Sequence, residues 1–316
     1  MYRIAVCVAA ALFAIASQPC SAQQYPTKPI RILVGPGPDA LARVYGQKFT
    51  EAWGQQVVID QRPGAGGTIA AEMVAKAPPD AYTLLLATGS YTINASLQQQ
   101  SYDLVRDFSP ISLLGTVPFI LVVHPAVPAK SVAELIQLAK AKPGQINYAS
   151  AGNGTPPHLA GEMLKMMTGI SIVHVPYKGA AQGLTDVMAG QIQMMFAVGP
   201  VGIPQVQSGK VRGLAVSTAK RSRIVPDLPT VAESGVPGFE VVGWNGLLAP
   251  AGSPKTALAK LHGEIAKVTA LPDMQSRIVG LGFEAVSSKP EEFSAFIRVD
   301  IARWTKVIKE ARVKID

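Results

Sequence analysis

The residues with the clearest chemical potential lie in the segment 147–158, which reads Asn-Tyr-Ala-Ser-Ala-Gly-Asn-Gly-Thr-Pro-Pro-His. Gly152 and Gly154 allow a tight turn and leave backbone N–H groups uncovered. Thr155 can cap the helix that follows, and Pro156 suits its first turn, where a missing N–H costs nothing. Amide donors and the positive end of the helix dipole would then converge on one point. This pattern predicts a binding site for a phosphate or carboxylate.

Other patterns that could support catalysis or cofactor binding are weak. The segment 64–68, Gly-Ala-Gly-Gly-Thr, lacks both the spacing of a dinucleotide loop and the lysine of a P-loop, so a tight turn is favoured. The four histidines show no metal-ligand spacing, and Ser150 and Thr155 have no evident local base. We therefore expect no cofactor, no metal and no catalytic residue. His158, in the first helical turn, either holds the loop or contacts the ligand.

Short β-branched runs alternate with helical patterns from residue 29 to about residue 246, which predicts parallel α/β layers. Strands are predicted at 30–34, 56–59, 82–87, 119–124, 146–149, 172–176, 193–198 and 213–217. Helices are predicted at 41–53, 68–76, 132–140, 157–168 and 181–190. The remainder, 254–316, is predicted to be mostly helical, with weaker strand character at 282–286.

Two segments, 30–49 and 146–167, share the order strand, Gly/Pro loop, helix. One such unit in each of two domains would place two helix N-termini on opposite sides of a shared cleft. Ligands of open α/β sheets bind at the carboxyl ends of the strands, where these loops lie.

Residues 1–22 have the pattern of a secretory signal. Arg3 gives a basic start, an uninterrupted apolar run follows, and small residues end at Ala22, where we predict cleavage. The apolar run is too short to span a bilayer, and no later stretch is long enough. Both cysteines, Cys7 and Cys20, lie in this segment. The mature protein is therefore expected to have no thiol, no disulfide and no Cys-ligated metal.

The composition describes a soluble, loop-rich globular chain. Of the 316 residues, 48% are hydrophobic and 16% charged, with 29 Gly and 25 Pro. This length favours two domains. The formal net charge is +8, and loss of Arg3 with the signal leaves +7 because no acid is removed. The basic residues are scattered, which argues against a nucleic-acid partner and supports a mild attraction for anionic ligands.

A set of ordered motifs extends along nearly the whole mature chain. They are Tyr-Pro-Thr-Lys-Pro-Ile-Arg at 25–31, Arg-Pro-Gly-Ala-Gly-Gly at 62–67, Asp-Phe-Ser-Pro-Ile at 107–111, His-Leu-Ala-Gly-Glu at 158–162, Val-Pro-Tyr-Lys-Gly at 175–179, Gly-Lys-Val-Arg at 209–212, Leu-Pro-Thr-Val-Ala-Glu at 228–233 and Ala-Pro-Ala-Gly at 249–252. In these motifs the chain resembles the periplasmic solute-binding proteins of tripartite tricarboxylate transporters, the Bug/TctC family.

The resemblance implies a type II periplasmic binding protein, with two α/β lobes joined by a hinge of crossover strands near Leu121 and Trp244. One lobe would contain residues 23–122 and 247–316, and the other residues 123–246. Such a protein closes on a small carboxylate and delivers it to the membrane permease subunits of the transporter. It is expected to be a periplasmic monomer without enzymatic activity.

The first loop departs from the family pattern, which usually reads Val-Pro-x-x-Pro-Gly-Gly-x-x-Asp-x-x-Ala-Arg. Here the corresponding segment, 34–43, is shorter and lacks the Gly-Gly pair. Asp39 and Arg43 are retained, so we expect Asp39 to cap the next helix. The missing glycines predict a changed or weakened pocket in the first lobe.

The expected ligand-binding residues come from loops that follow strands in both lobes. They are Gly35, Gly37, Asp39, Thr88, Ser90, Ser150, Gly152, Asn153, Gly154, Thr155, His158, Tyr177 and Lys178. The backbone N–H groups of 152–155 are the expected donors, and Lys178 would supply a fixed positive charge. The ligand class stays open among di- and tricarboxylates, acidic amino acids and aromatic carboxylates. Two other functions also stay open, a receptor for a membrane sensor and, disfavoured by the missing acid/base pair, a secreted carboxylate-processing enzyme.

Overall fold

The computed structural model describes residues 25–35, 39–62, 64, 67–311 and 313. The predicted signal segment and its cleavage site lie outside these residues. Ten strands of the described chain form one sheet, and eight of them lie side by side in the order 57–61, 30–34, 83–88, 242–250, 108–123, 194–198, 146–150 and 172–176. Nowhere in the described ranges is a helix both long and apolar enough to cross a bilayer.

The first part of the sheet is parallel and is built from alternating strands and helices. The elements are β1 (Ile30–Val34), α1 (Ala40–Trp53), β2 (Val57–Gln61), α2 (Thr68–Ala75), β3 (Thr83–Thr88) and α3 (Gly89–Leu97). Strand β1 lies between β2 and β3, with Ile32 opposite Ile59 on one side and Leu84 on the other. The apolar run of β1 is almost entirely buried, as expected for a parallel strand covered on both faces.

The second part repeats this architecture. Its elements are α4 (Val132–Ala141), β5 (Ile146–Ser150), α5 (Pro156–Thr168), β6 (Ile172–Pro176), α6 (Ala180–Met188), β7 (Met194–Val198), α7 (Gly199–Gln207) and β8 (Arg212–Val216). Strand β5 pairs in parallel with both β6 and β7. The side chain of Ser131 caps α4 by accepting from the N–H of Glu134 at 3.1 Å.

Two antiparallel strands connect the two parts. Strand β4 (Phe108–Val123) is 16 residues long, and β9 is Val242–Pro250. The first portion of β4 pairs with β9, from Phe108 opposite Pro250 to Pro118 opposite Val242. Its last five residues pair instead with β7 and β8. The chain therefore passes between the two parts along β4 and again just before β9.

The C-terminal segment packs on both parts of the sheet. It contains α8 (Lys255–Thr269), α9 (Pro272–Gly280), the short strand β10 (Glu284–Ala285) and α10 (Pro290–Ala311). Near the start of α10, Phe293 joins the apolar cluster around Trp244. Near its end, Trp304 joins the cluster around Leu159 of α5. The last helix thus lies against the core of each part.

The predicted strands and helices all occur, with ends shifted by at most two residues apart from the strand at 119–124, which is the end of the longer β4. Two helices, α3 and α7, are absent from the sequence-based prediction. Helix α3 begins Gly-Ser-Tyr-Thr, and α7 contains Gly199, Pro200, Gly202 and Pro204. These residues have poor helix propensity, and burial against the sheet outweighs it.

Candidate functional site

The loop after β5 forms a tight turn that leads directly into α5. Gly152 and Gly154 have φ angles of 127° and 69°, which favour glycine. A Cβ atom on Gly152 would also lie 3.2 Å from the carbonyl oxygen of Tyr177. Thr155 occupies the N-cap position of α5, and Pro156 its first turn. The predicted glycine turn before a helix is confirmed.

Most hydrogen-bonding groups of this loop point inward. The N–H of Gly152 donates to Ser150 Oγ at 3.0 Å, and the N–H of Gly154 donates to His158 Nδ1 at 3.1 Å. The N–H and the hydroxyl of Thr155 both donate to the carbonyl of Gly152. The expectation that all N–H groups of 152–155 are open donors is therefore wrong for Gly152, Gly154 and Thr155, whose amides bond within the turn. The hydroxyls of Ser150 and Thr155 bond within the turn as well.

Two amides of the same loop are uncommitted. The N–H groups of Ala151 and Asn153 make no hydrogen bond to another residue in the described part of the chain. Asn153 is exposed, and Ala151 is half-buried. Together with the positive end of the α5 dipole, they keep the loop suited to an anion, with fewer donors than the sequence predicts.

Two stacked imidazoles lie behind the loop. The rings of His158 and His174 are 3.9 Å apart and 11° from parallel, and Nε2 of His174 lies 2.6 Å from Ser150 Oγ. Burial lowers the pKa of His158. Burial, and then the positive charges that His158 and Lys165 can carry, lower the pKa of His174 to about 3. Both rings are therefore uncharged near neutral pH.

The Ser150–His174 contact has the short distance of a nucleophile and its base, a pairing that the sequence did not reveal. A histidine with a pKa near 3 is too weak a base to deprotonate a serine efficiently at neutral pH. Ser150 is fully buried and also donates to the carbonyl of Gly152 at 3.0 Å. These contacts tie Ser150 into the turn. In the described residues, no group of three His, Cys, Asp or Glu side chains could hold a metal ion.

The start of α3 faces the start of α5 across the two parts of the sheet. A Cβ atom on Gly89 would lie 3.6 Å from Cγ of Pro156 and 3.4 Å from Nε1 of Trp244. On either side of Gly89, the hydroxyls of Thr88 and Ser90 make no hydrogen bond to another described residue. The positive ends of two helices thus meet at the junction, and two residues with unbonded hydroxyls flank Gly89.

The first loop contributes differently from the prediction. Gly35 packs on Tyr91, whose hydroxyl oxygen would lie 2.5 Å from a Cβ at this position. Gly37 lies outside the described residues. Asp39 stands at the N-cap position of α1, but its carboxylate makes no cap; it pairs with Arg43 at 2.6 Å and accepts from Gln61 at 2.7 Å. The predicted Asp39 cap is therefore wrong, because these two side chains compete for the carboxylate.

Tyr177 and Lys178 follow β6 beside the glycine loop. The Tyr177 hydroxyl donates to Asp186 at 2.6 Å; burial, and then this carboxylate, raise its pKa to about 12. Its hydroxyl is therefore committed to α6. Lys178 is exposed and forms no ion pair with a described residue, and its predicted contribution of a positive charge to the site stays a prediction.

The chain is similar in sequence to a known protein family. The family model described as tripartite tricarboxylate transporter family receptor, TctC, matches residues 41–313. BugT of Bordetella pertussis is 32% identical over 304 residues, which cover 94% of this chain and 93% of BugT.

Solved structures show the same likeness. The structure of R. palustris Rpa4515 with adipate is 35% identical, with a TM-score of 0.85 over 92% of this chain and 99% of that one. MatC from Rhodopseudomonas palustris with bound malate is 29% identical, with a TM-score of 0.80 over 90% and 100% of the two chains. The predicted fold class is confirmed by these likenesses.

Proposed function

The chain belongs to the TctC family of tripartite tricarboxylate transporter receptors, and we propose that it captures a small carboxylate between the two parts of its sheet. The observation that carries the proposal is the convergence of the α3 and α5 starts, where Gly89 meets Pro156. Two helix dipoles directed at one point favour an anion that bridges them. A ligand with carboxylates at both ends suits two such ends, and relatives bind adipate and malate.

In this proposal each part of the sheet supplies its own donors. One carboxylate accepts from the free amides of Ala151 and Asn153, and Lys178 adds a positive charge nearby. The other end of the ligand accepts from the hydroxyls of Thr88 and Ser90. Gly35 and Asp39 shape the first loop without a direct ligand contact. Gly35 is packed against Tyr91, and the Asp39 carboxylate is paired with Arg43.

We further propose that the ligand is bound by hinge closure of two lobes, 23–122 with 247–316 and 123–246. Strands β4 and β9 form the connection, and contacts made only in the closed state shift the population toward it. The mature, periplasmic monomer, cleaved after Ala22, then delivers the carboxylate to permease subunits of a tripartite tricarboxylate transporter. It binds without chemical turnover.

Thermal unfolding of the mature protein, freed of ligand by unfolding and refolding, tests carboxylate binding. The panel contains adipate, malate, citrate, glutamate and nicotinate, with adipamide as the uncharged control for adipate. A ligand at about 100 times its Kd adds about 2.7 kcal/mol, which raises Tm by about 4 °C for a chain of this size. A rise with one carboxylate class and none with the diamide supports the proposal. Equal effects of adipate and adipamide, or no rise across the panel, would contradict it.

A further inference from the structure

The stacked pair His158 and His174 contacts both turning points of the glycine loop. Nδ1 of His158 accepts from the N–H of Gly154 at 3.1 Å. Nε2 of His174 lies 2.6 Å from Ser150 Oγ, which in turn accepts from the N–H of Gly152 at 3.0 Å. Each glycine of the turn is therefore tied, directly or through one hydroxyl, to one of the two rings.

We propose that His158 and His174 are positioning residues, whose ring nitrogens hold the loop in the shape that leaves the Ala151 and Asn153 amides free for the ligand. The predicted effect on ligand affinity rests on the carboxylate binding proposed above, whereas the predicted effect on the loop does not. Neither ring is itself assigned a ligand contact.

The hydrogen bonds fix the chemical form of the first ring. An imidazole nitrogen that accepts from an amide carries no proton, so His158 must be the neutral tautomer with its proton on Nε2. The Gly154 amide is buried with its residue, so loss of this acceptor would leave a buried donor unsatisfied, which is costly. The acceptor at Nδ1, rather than the bulk of the ring, is therefore the feature that shapes the turn.

Residues of the second part of the sheet pack around the histidine pair and hold it in place. The ring of Tyr148 lies 4.9 Å from that of His174. The Tyr148 hydroxyl donates to Glu162 at 2.7 Å, and Glu162 pairs with Lys165 at 2.8 Å. These contacts come from β5 and α5, the elements that flank the loop. The contacts around the histidine pair thus come from the strand and the helix that the loop connects.

Two substitutions at His158 separate the acceptor from the ring. H158N places an amide oxygen near the position of Nδ1 but removes the stacked ring. H158F keeps a stacked ring but removes both nitrogens. Amide hydrogen exchange of Gly154 measures the loop without any ligand, and calorimetric titration with the best carboxylate of the panel measures affinity. Urea unfolding checks whether both variants fold.

We expect the Gly154 amide to exchange at least about tenfold faster in H158F, and within about threefold of wild type in H158N. The Kd should follow the same order, with a rise of about tenfold in H158F. In wild-type protein, nitrogen NMR should show Nδ1 of His158 without a proton.

The reverse order, with H158F like wild type and H158N impaired, would show that the pair only fills space and would overturn the inference. A protonated Nδ1 in the wild type would do so as well. If the wild type binds no carboxylate, the proposed function fails, whereas Gly154 exchange still decides the positioning role.

Discussion

Residue 89 offers a direct way to separate the two helix starts. Gly89 is buried, and its φ angle lies outside the left-handed region, so the backbone accepts other residues. A Cβ atom here would meet Trp244 at 3.4 Å and Pro156 at 3.6 Å, which are ordinary contact distances. Alanine therefore fits, and any longer side chain must enter the space between α3 and α5.

The expected size of the effect follows from overpacking. The extra atoms of leucine, placed against Trp244 and Pro156, cost about 1–3 kcal/mol. If the protein relieves this strain by moving the α3 and α5 starts apart, the closed state loses the same free energy relative to the open state. The Kd for the carboxylate then rises by about 5- to 150-fold in G89L. G89A should bind like the wild type.

Calorimetric titration of wild type, G89A and G89L with the same carboxylate measures this ratio, and small-angle scattering with ligand shows whether G89L fails to close. Thermal unfolding without ligand identifies any general loss of stability. Equal affinity of G89L and G89A, with equal unfolding midpoints, would refute the idea that the ligand lies between these helix starts.

Two further predictions concern buried ionisable groups. Oδ2 of Asp300 accepts from Thr92 Oγ1 at 2.6 Å and from Trp244 Nε1 at 3.0 Å, and burial raises its pKa despite these bonds. D300N keeps the hydrogen-bond acceptor without the buried charge and should match or exceed the wild-type Tm at pH 7. D300L should lose about 2–4 kcal/mol of unfolding free energy. A D300L protein as stable as D300N would contradict this expectation. For His174, the folded pKa of about 3 lies below its ordinary value. The unfolded chain therefore binds more protons than the folded chain between pH 6.5 and 3. The contribution of His174 to the free energy of unfolding is fully present above pH 6.5 and is lost as the pH falls toward 3. Urea midpoints should fall more steeply with acid in wild type than in H174Q, and parallel curves would contradict the assignment.

The strand-loop-helix pattern was readable from the sequence because the strands are continuous apolar runs with clear ends. Strand β1 at 30–34 and strand β6 at 172–176 were predicted without error. Helix α3 was missed, since its first residues are poor helix formers and its stability comes from packing on β3, β9 and α10. Local preference carries no information about such packing.

The glycine loop was predicted, but its hydrogen bonds were not. Glycine spacing indicates which amides can be exposed, whereas the acceptors that occupy them come from elsewhere in the chain. His174 reaches Ser150 from a neighbouring strand, 24 residues away. The pairing of β5 and β6, which places Tyr148 opposite His174, creates that contact. A prediction of parallel pairing between these strands is the signal that could have found it.

The most direct measurement is a crystal structure of the mature protein with the carboxylate that gives the largest rise in Tm. We expect one carboxylate to contact the Ala151 and Asn153 amides and the rest of the ligand to reach Thr88 and Ser90. The Gly154 amide should still donate to His158. Ligand bound away from these two helix starts, or held by residues of one part of the sheet alone, would contradict capture between the two parts.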